Sequence, residues 1–265
     1  MRRIKLTLSY DGTDFKGWQV QPGLPTIQGF LQEAFLEIEE APVHVSGSGR
    51  TDAGVHALAQ VAAVSINNPI PTRNLKKALN RILPFDIRVI DVEEVPAGFH
   101  PRFDATSKTY EYRVHRGEVC PPFERRYLHH HPYPMDEKKF VDAARQFEGE
   151  FDFSSFAASD DRDAEKRSKV RRIFSSEAVL RGERLIYRVT GSGFLKHMVR
   201  NIVGTLLEAG KGNVDCDRLA WLLTAPPAVK AGPTAPANGL FLIEVHYGSS
   251  GPEATDRSAV PTADA

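Results

Sequence analysis

Apolar and polar residues alternate from the start of the chain. Ile4, Leu6, Leu8 and Tyr10 are separated by Lys5, Thr7 and Ser9, the period of a strand with one buried face. Asp11-Gly12 ends that strand, and the Gly- and Pro-bearing stretch 11–25 reads as a loop. Thr26 then stands as N-cap to a helix with Ile27, Leu31, Ala34, Phe35 and Ile38 on one face, stopped by Pro42. A short strand at 43–47 leads into a Gly/Ser-rich loop, and another strand follows at 57–66. Thr72 caps a second helix carrying Leu75, Leu79, Ile82 and Leu83, and a strand at 87–95 closes the set. The order is β-α-β-β-α-β, the ferredoxin-like unit.

The same order recurs. Tyr110, Tyr112 and Val114 alternate in a strand at 108–114, and a helix begins near Asp136 with Phe140, Ala144 and Phe147 inward. Strands at 170–180 and 184–190 form a hairpin over Arg181-Gly182-Glu183. A helix from Phe194 repeats apolar residues every four (Phe194, Met198, Ile202, Leu206), and a strand at 240–247 ends the pattern. The expectation is an α+β protein. Two ferredoxin-like halves, residues 1–105 and 106–248, join into one continuous, mainly antiparallel sheet with a central cleft. Residues 159–168 are densely charged and read as a mobile loop. Residues 249–265, poor in large apolar side chains, read as a disordered tail.

Composition narrows the function classes. The chain has 265 residues, with 34 Lys plus Arg against 34 Asp plus Glu, so its formal net charge is zero. That excludes a histone-like coat for nucleic acid and leaves room for a local basic groove. The tail holds three acidic residues and one basic one, so the remainder carries +2. Cys120 and Cys216 form no CxxC pair and read as thiols of a reducing cytosol. No signal peptide opens the sequence, and no apolar run reaches the length of a membrane span.

Four stretches carry candidate chemistry. The loop Gly47-Ser48-Gly49-Arg50-Thr51-Asp52-Ala53-Gly54-Val55-His56 joins adjacent strands where the second half needs only Arg181-Gly182-Glu183, and a longer loop than the turn requires points to function. Arg50 and Asp52, two apart, face one side if the loop is extended. An arginine beside an aspartate favours the carboxylate, which is then a nucleophile or base; the alternative is a turn that Asp52 caps. Lys108-Thr109-Tyr110-Glu111-Tyr112 offers rings for core packing or for stacking on a base. In Lys196-His197-Met198-Val199-Arg200-Asn201, Lys196 and Arg200 share a helix side, either solvated or facing a cleft. His129-His130-His131 alternates sides in an extended chain, so no metal is expected; a polar or nucleic-acid-facing segment fits better. Five of the nine histidines lie in 100–131 with several arginines, and Arg73, Lys76, Lys77, Arg81 and Arg88 oppose only Asp86, so both stretches are candidate phosphate contacts.

Together these segments resemble the TruA-type family of tRNA pseudouridine synthases. The resemblance rests on Tyr10-Asp-Gly-Thr-Asp-Phe-Lys-Gly-Trp-Gln-Val-Gln21, Gly49-Arg-Thr-Asp-Ala-Gly-Val-His-Ala57, Phe103-Asp-Ala-Thr-Ser-Lys-Thr-Tyr-Glu-Tyr112, Gly193-Phe-Leu-Lys-His-Met-Val-Arg-Asn-Ile-Val-Gly204 and Ala231-Gly-Pro-Thr-Ala-Pro-Ala-Asn-Gly-Leu240, in the family's order. It implies a cytoplasmic isomerase without cofactor or metal that converts uridine to pseudouridine at positions 38, 39 and 40 of the tRNA anticodon stem-loop. Asp52 matches the nucleophile. Tyr110 matches the ring that stacks on the target base and takes the C5 proton, its phenol shifted toward use as a base by Arg50 or Arg200. Arg200 matches the cation paired with the aspartate, Arg50 the loop arginine that displaces the base, and Leu240 an apolar pocket residue. The family is homodimeric, one tRNA touching both subunits. The competing expectations are a non-catalytic RNA-binding module and a hydrolase built on Asp52 and His56.

Overall fold

Strand β1 (Arg2–Tyr10) buries Ile4, Leu6, Leu8 and Tyr10, as its alternation requires. The structure is a computed structural model that describes residues 1–159, 168–224 and 229–248. Helix α1 (Ile27–Glu39) starts at the expected cap, where Thr26 Oγ1 accepts from Gly29 N. It ends before Pro42, because Glu40 turns left-handed (φ 55°) and returns its N–H to Leu36 O. Strand β2 is only Ser46–Gly47, shorter than the expected 43–47. The reason lies in α1: Gln32 Nε2 donates to Val43 O and Gln28 Nε2 to Val45 O, so side chains take carbonyls that a strand would have paired.

Strand β3 (His56–Ile66), helix α2 (Thr72–Ile82) and strand β4 (Ile87–Val95) complete the first half. Thr72 is not a cap. It is the first helical residue, and Pro71 precedes it without a side-chain cap bond. The far end of α2 is held from β4 by Arg88, which donates to Asn80 O, Leu83 O and Pro84 O. Arg88 is therefore a structural clamp, not a free phosphate contact; Arg73, Lys77 and Arg81 remain exposed.

The second half opens with strand β5 (Ala105–His115). Three elements unanticipated by the hydrophobic pattern follow in this half: β6 (His129–His130), β7 (Gly149–Asp152) and helix α5 (Cys216–Thr224). The expected ones are helix α3 (Glu137–Ala144), capped by Asp136, the hairpin β8 (Val170–Arg181) and β9 (Arg184–Gly191), helix α4 (Met198–Gly210), and strand β10 (Leu240–Tyr247). Helix α4 starts four residues later than its apolar spacing suggests. Phe194 lies outside it, and His197 precedes it in a left-handed conformation (φ 59°). The tail 249–265 and most of the charged stretch 159–168 lie outside the described residues.

One continuous sheet runs β4-β1-β3-β10-β5-β9-β8-β7, with β2 on β3 and β6 on β5. Each half has the ferredoxin-like arrangement, β4-β1-β3-β2 in the first and β10-β5-β9-β8 in the second, with every pairing inside these quartets antiparallel. The halves meet through two parallel pairs, His56 with Phe241 and Ala57 with Leu242. The expected continuous, mainly antiparallel sheet is thus the observed one, and a single apolar core runs through both halves, from Ile4 on β1 to Val245 on β10.

Helix α4 is buried along most of its length, and the segment before β10 crosses it at Gly204. A Cβ there would stand 1.7 Å from Pro233 O, a backbone atom that cannot swing aside. Gly204→Ala is therefore expected to destabilise the protein by about 1–3 kcal/mol through overpacking. Urea unfolding of the two proteins checks this, and an unchanged midpoint would contradict the close crossing.

Candidate active site

The loop from Ser48 to Val55 leaves the sheet between β2 and β3, and its course is fixed from beneath. Gln60 on β3 is fully buried; its Oε1 accepts from Ser48 Oγ (2.5 Å) and Val61 N (3.1 Å), and its Nε2 donates to Gly49 O (3.1 Å) and to Tyr10 OH (3.4 Å). Tyr10 OH shares a hydrogen bond with Thr51 Oγ1 (2.9 Å). Burial pushes the Tyr10 phenol up to about 12, so it stays a neutral hydrogen-bonding group. From the second half, Lys108 Nζ donates to Ser48 O at 2.6 Å. Burial, then the charge of Arg102, lowers that ammonium to about 8.

The Tyr10–Gln21 segment braces the other side. Trp18 N donates to Thr51 O (3.0 Å) and Gly54 N to Phe15 O (3.3 Å). Gly17 sits at φ +91°, and a Cβ there would meet Thr51 O at 2.6 Å, so both conformation and space demand glycine. The turn closes with Val55 N donating to Asp52 O. Asp52 is thereby presented on a loop tied down through backbone groups on both sides of it, with its side chain a quarter exposed.

The carboxylate meets the second half. Arg200 Nη1 lies 3.2 Å from Asp52 Oδ2. Arg200 is itself held, donating from Nε to Ala235 O (2.7 Å) while its own carbonyl accepts from Ala235 N (3.1 Å). Its neighbour Asn201 donates to Phe156 O and accepts from Thr234 Oγ1. His197 Nε2 lies 3.4 Å from the same Asp52 oxygen. A left-handed non-glycine residue costs roughly 1–3 kcal/mol, which the surrounding contacts must cover. Burial is the largest influence on the His197 ring and lowers its pKa; Asp52 opposes that shift, while Arg200 and Lys196 add to it. The ring is therefore neutral at neutral pH.

Tyr110 is almost wholly buried on β5, opposite Leu242 and Val189, with its ring edge-on to Phe194 at 5.0 Å. Its phenol is pushed well above the ordinary value by burial, then by Tyr10 and Asp52. That reverses the expected shift: burial is the largest influence, and the two groups that add to it raise the phenol further. Among the described residues Arg50 makes no hydrogen bond to Asp52. It is exposed and donates from Nε to Gln19 Oε1 (3.2 Å). Leu240 is buried at the start of β10 opposite Tyr112, two residues before Leu242, which faces Tyr110. Lys196 precedes α4 and reaches Ser159 O, so it shares no helix side with Arg200.

Two other candidates resolve differently. His56 Nδ1 accepts from Gly12 N (3.0 Å), so the ring proton sits on Nε2, which donates to Arg126 O (3.0 Å). The ring stacks on Phe241 at 4.7 Å. It ties three segments together and does not pair with Asp52, which removes the hydrolase reading. The three histidines differ in setting, His129 and His130 half-buried and His131 inside. His131 is buried, His129 faces it at 5.6 Å, and His130 bonds Gly117 O. Burial lowers both His129 and His131 to about 4. Among the described residues no group of three His, Cys, Asp or Glu is placed to hold a metal.

A family model described as tRNA pseudouridine synthase matches residues 7–104 and 143–248. The tRNA pseudouridine synthase A of Solibacter usitatus is 64% identical over 247 residues, spanning 93% of this chain and all of that protein. The tRNA pseudouridine synthase A of Lacticaseibacillus casei is 44% identical over 252 residues, with 93% of this chain and all of that protein covered.

Gln60→Leu removes the partner of Ser48 Oγ and Gly49 O without adding volume. Leaving those buried groups unpaired is expected to cost about 1–3 kcal/mol. Thermal unfolding measures it, and a variant as stable as the parent would show that Gln60 does not hold the loop.

Proposed function

The chain belongs to the tRNA pseudouridine synthase family, and we propose that it converts uridine to pseudouridine in tRNA with Asp52 as its nucleophile. The observation that carries this reading is the Asp52–Arg200 pair, a carboxylate from one half held at 3.2 Å by a cation from the other. A module that merely bound RNA would gain nothing from a carboxylate where phosphates approach.

The reaction is an isomerisation. The N1–C1′ bond breaks, the uracil turns, and a C5–C1′ bond forms. C5 gives up a proton, N1 gains one, and the carboxylate that formed a transient bond is returned. No oxidation state changes and no water is consumed, so the residues at hand suffice. The target base must first leave its stack, at a cost of a few kcal/mol. Tyr110 receives it, and a ring returns about 1–3 kcal/mol per stacked base. A phenol raised above its ordinary value is a poor base toward intact uracil. It takes the C5 proton only as it passes its own hydroxyl proton on to solvent, and only after C5 has bonded to the sugar, when losing that proton restores the ring's conjugation. Arg50, exposed at the loop's rim, enters the space the base vacates, and Leu240 supplies apolar floor beside Tyr112.

The substrate sites are uridines 38, 39 and 40 of the anticodon stem-loop, and the working unit is a homodimer in which one tRNA touches both copies. Arg73, Lys77 and Arg81 on α2 and Arg125 and Arg126 before β6 are exposed cations suited to the RNA backbone. The setting is the cytoplasm, where tRNA is found; no helix among the described residues is long and apolar enough to cross a membrane. Incubation with unmodified tRNA, followed by carbodiimide mapping of pseudouridine, tests activity and position together.

Asp52→Ala is expected to abolish pseudouridine formation while tRNA binding persists. Arg200→Ala is expected to slow it about a hundredfold, since a misplaced nucleophile costs that much. Turnover near the parent rate in Asp52→Ala removes the nucleophile assignment.

Tyr110→Phe keeps the ring and removes the hydroxyl. The variant is expected to bind tRNA and release no pseudouridine. Tritium release from C5-labelled uridine reads the step directly, and release at the parent rate would leave Tyr110 as a stacking surface alone.

A further inference from the structure

Asp52 Oδ2 has two neighbours from the second half, Arg200 Nη1 at 3.2 Å and His197 Nε2 at 3.4 Å. Among the described residues the side-chain hydrogen bond that Asp52 accepts goes to Oδ2, from Arg200. His197 achieves its approach at φ 59°, in the one turn of chain between Phe194, which packs on Tyr110, and Arg200. A residue held left-handed beside a nucleophile is backbone bent to place a side chain.

We propose that His197 is a positioning residue whose ring, packed against Asp52 Oδ2 beside the Arg200 hydrogen bond, holds that oxygen in place and so leaves Oδ1 as the attacking oxygen. This rests on the reading of Asp52 as nucleophile. The attacking oxygen lends an electron pair to a carbon of the nucleotide and recovers it when the C5–C1′ bond closes, so the carboxylate emerges unchanged. The working form of His197 is the neutral one. Three charged groups face the ring: Asp52 from the loop, and Lys196 and Arg200 from its own segment. Burial and the two cations hold the ring neutral at neutral pH. As pH falls the ring gains a proton, a second full cation bears on Oδ2, and the carboxylate becomes a weaker nucleophile. Single-turnover rate should then fall on the acid side with a midpoint below the ordinary imidazole value.

The test uses His197→Asn, since asparagine tolerates the left-handed conformation but reaches less far. His197→Gly serves the same test with a backbone that adopts this conformation freely. Single-turnover rates on unmodified tRNA are measured across pH, alongside tRNA affinity. The expected result is unchanged affinity, a rate about a hundredfold lower at neutral pH as expected for a misplaced nucleophile, and loss of the acid-side midpoint assigned to His197. A parent-like rate, or the same midpoint, in either variant overturns the inference. Asp52→Ala run in parallel separates the two readings. If it is inactive while His197→Asn behaves as the parent, only the role of His197 falls; if it turns over, both fall.

Discussion

Two residue pairs of parallel strand, His56 with Phe241 and Ala57 with Leu242, hold the two halves of the sheet in register. Everything at the site depends on that short seam. Asp52 belongs to a loop of the first half, and Arg200, His197, Lys108 and Tyr110 belong to the second. A one-residue slip at the seam would turn each strand's side chains to the opposite face and move the carboxylate from its cation by a strand step. The seam is accordingly reinforced. His56 bonds the Gly12 amide and the Arg126 carbonyl and stacks on Phe241, while Lys108 Nζ reaches across to Ser48 O.

The site is held by hydrogen bonds of its own. Its polar groups are bonded to backbone before any substrate arrives: Gln60 to Ser48, Gly49 and Val61, Arg200 to Ala235, Asn201 to Phe156. Such preorganisation means that little reorganisation remains for the moment of reaction. It also sets the electrostatics. Tyr110 feels burial and a nearby carboxylate, and its phenol rises instead of falling. The hydrogen bond of Arg200 goes to the aspartate, while its charge also reaches Tyr112 and His197.

Much of this was legible in the sequence. Period-two and period-four patterns located the principal strands and helices of both halves, because one-faced burial leaves a regular trace. Asp52, Arg200 and Tyr110 stood out through the motifs that carry the family resemblance. What was hidden depends on tertiary contact. The start of α4 was misread because Phe194 continues the apolar spacing by coincidence of packing against Tyr110. The shortness of β2 was invisible because Gln28 and Gln32, polar residues on a helix, take carbonyls three-dimensionally adjacent but distant in sequence. The spacing puts Arg50 beside Asp52, whereas its guanidinium bonds Gln19. Nothing in a run of Lys-His-Met-Val-Arg distinguishes His197 until its φ angle is known.

The asymmetry between the two halves explains how one unit, used twice, makes a site used once. In the second half β8 runs twelve residues and pairs along β9, joined by a tight turn. In the first half β2 pairs over two residues only, and the chain beyond it is diverted into the Ser48–Val55 loop. Ser46 and Gly47 pair with Ala63 and Ala62, so the His56–Ala57 end of the same strand is left without a β2 partner. An unpaired strand edge must find hydrogen bonds, and β10 supplies them there. The diversion that builds the Asp52 loop is thus the same one that opens the edge where the second half docks. A first half with a full-length β2 would have neither the loop nor the seam, which ties the position of the nucleophile to the joining of the fold.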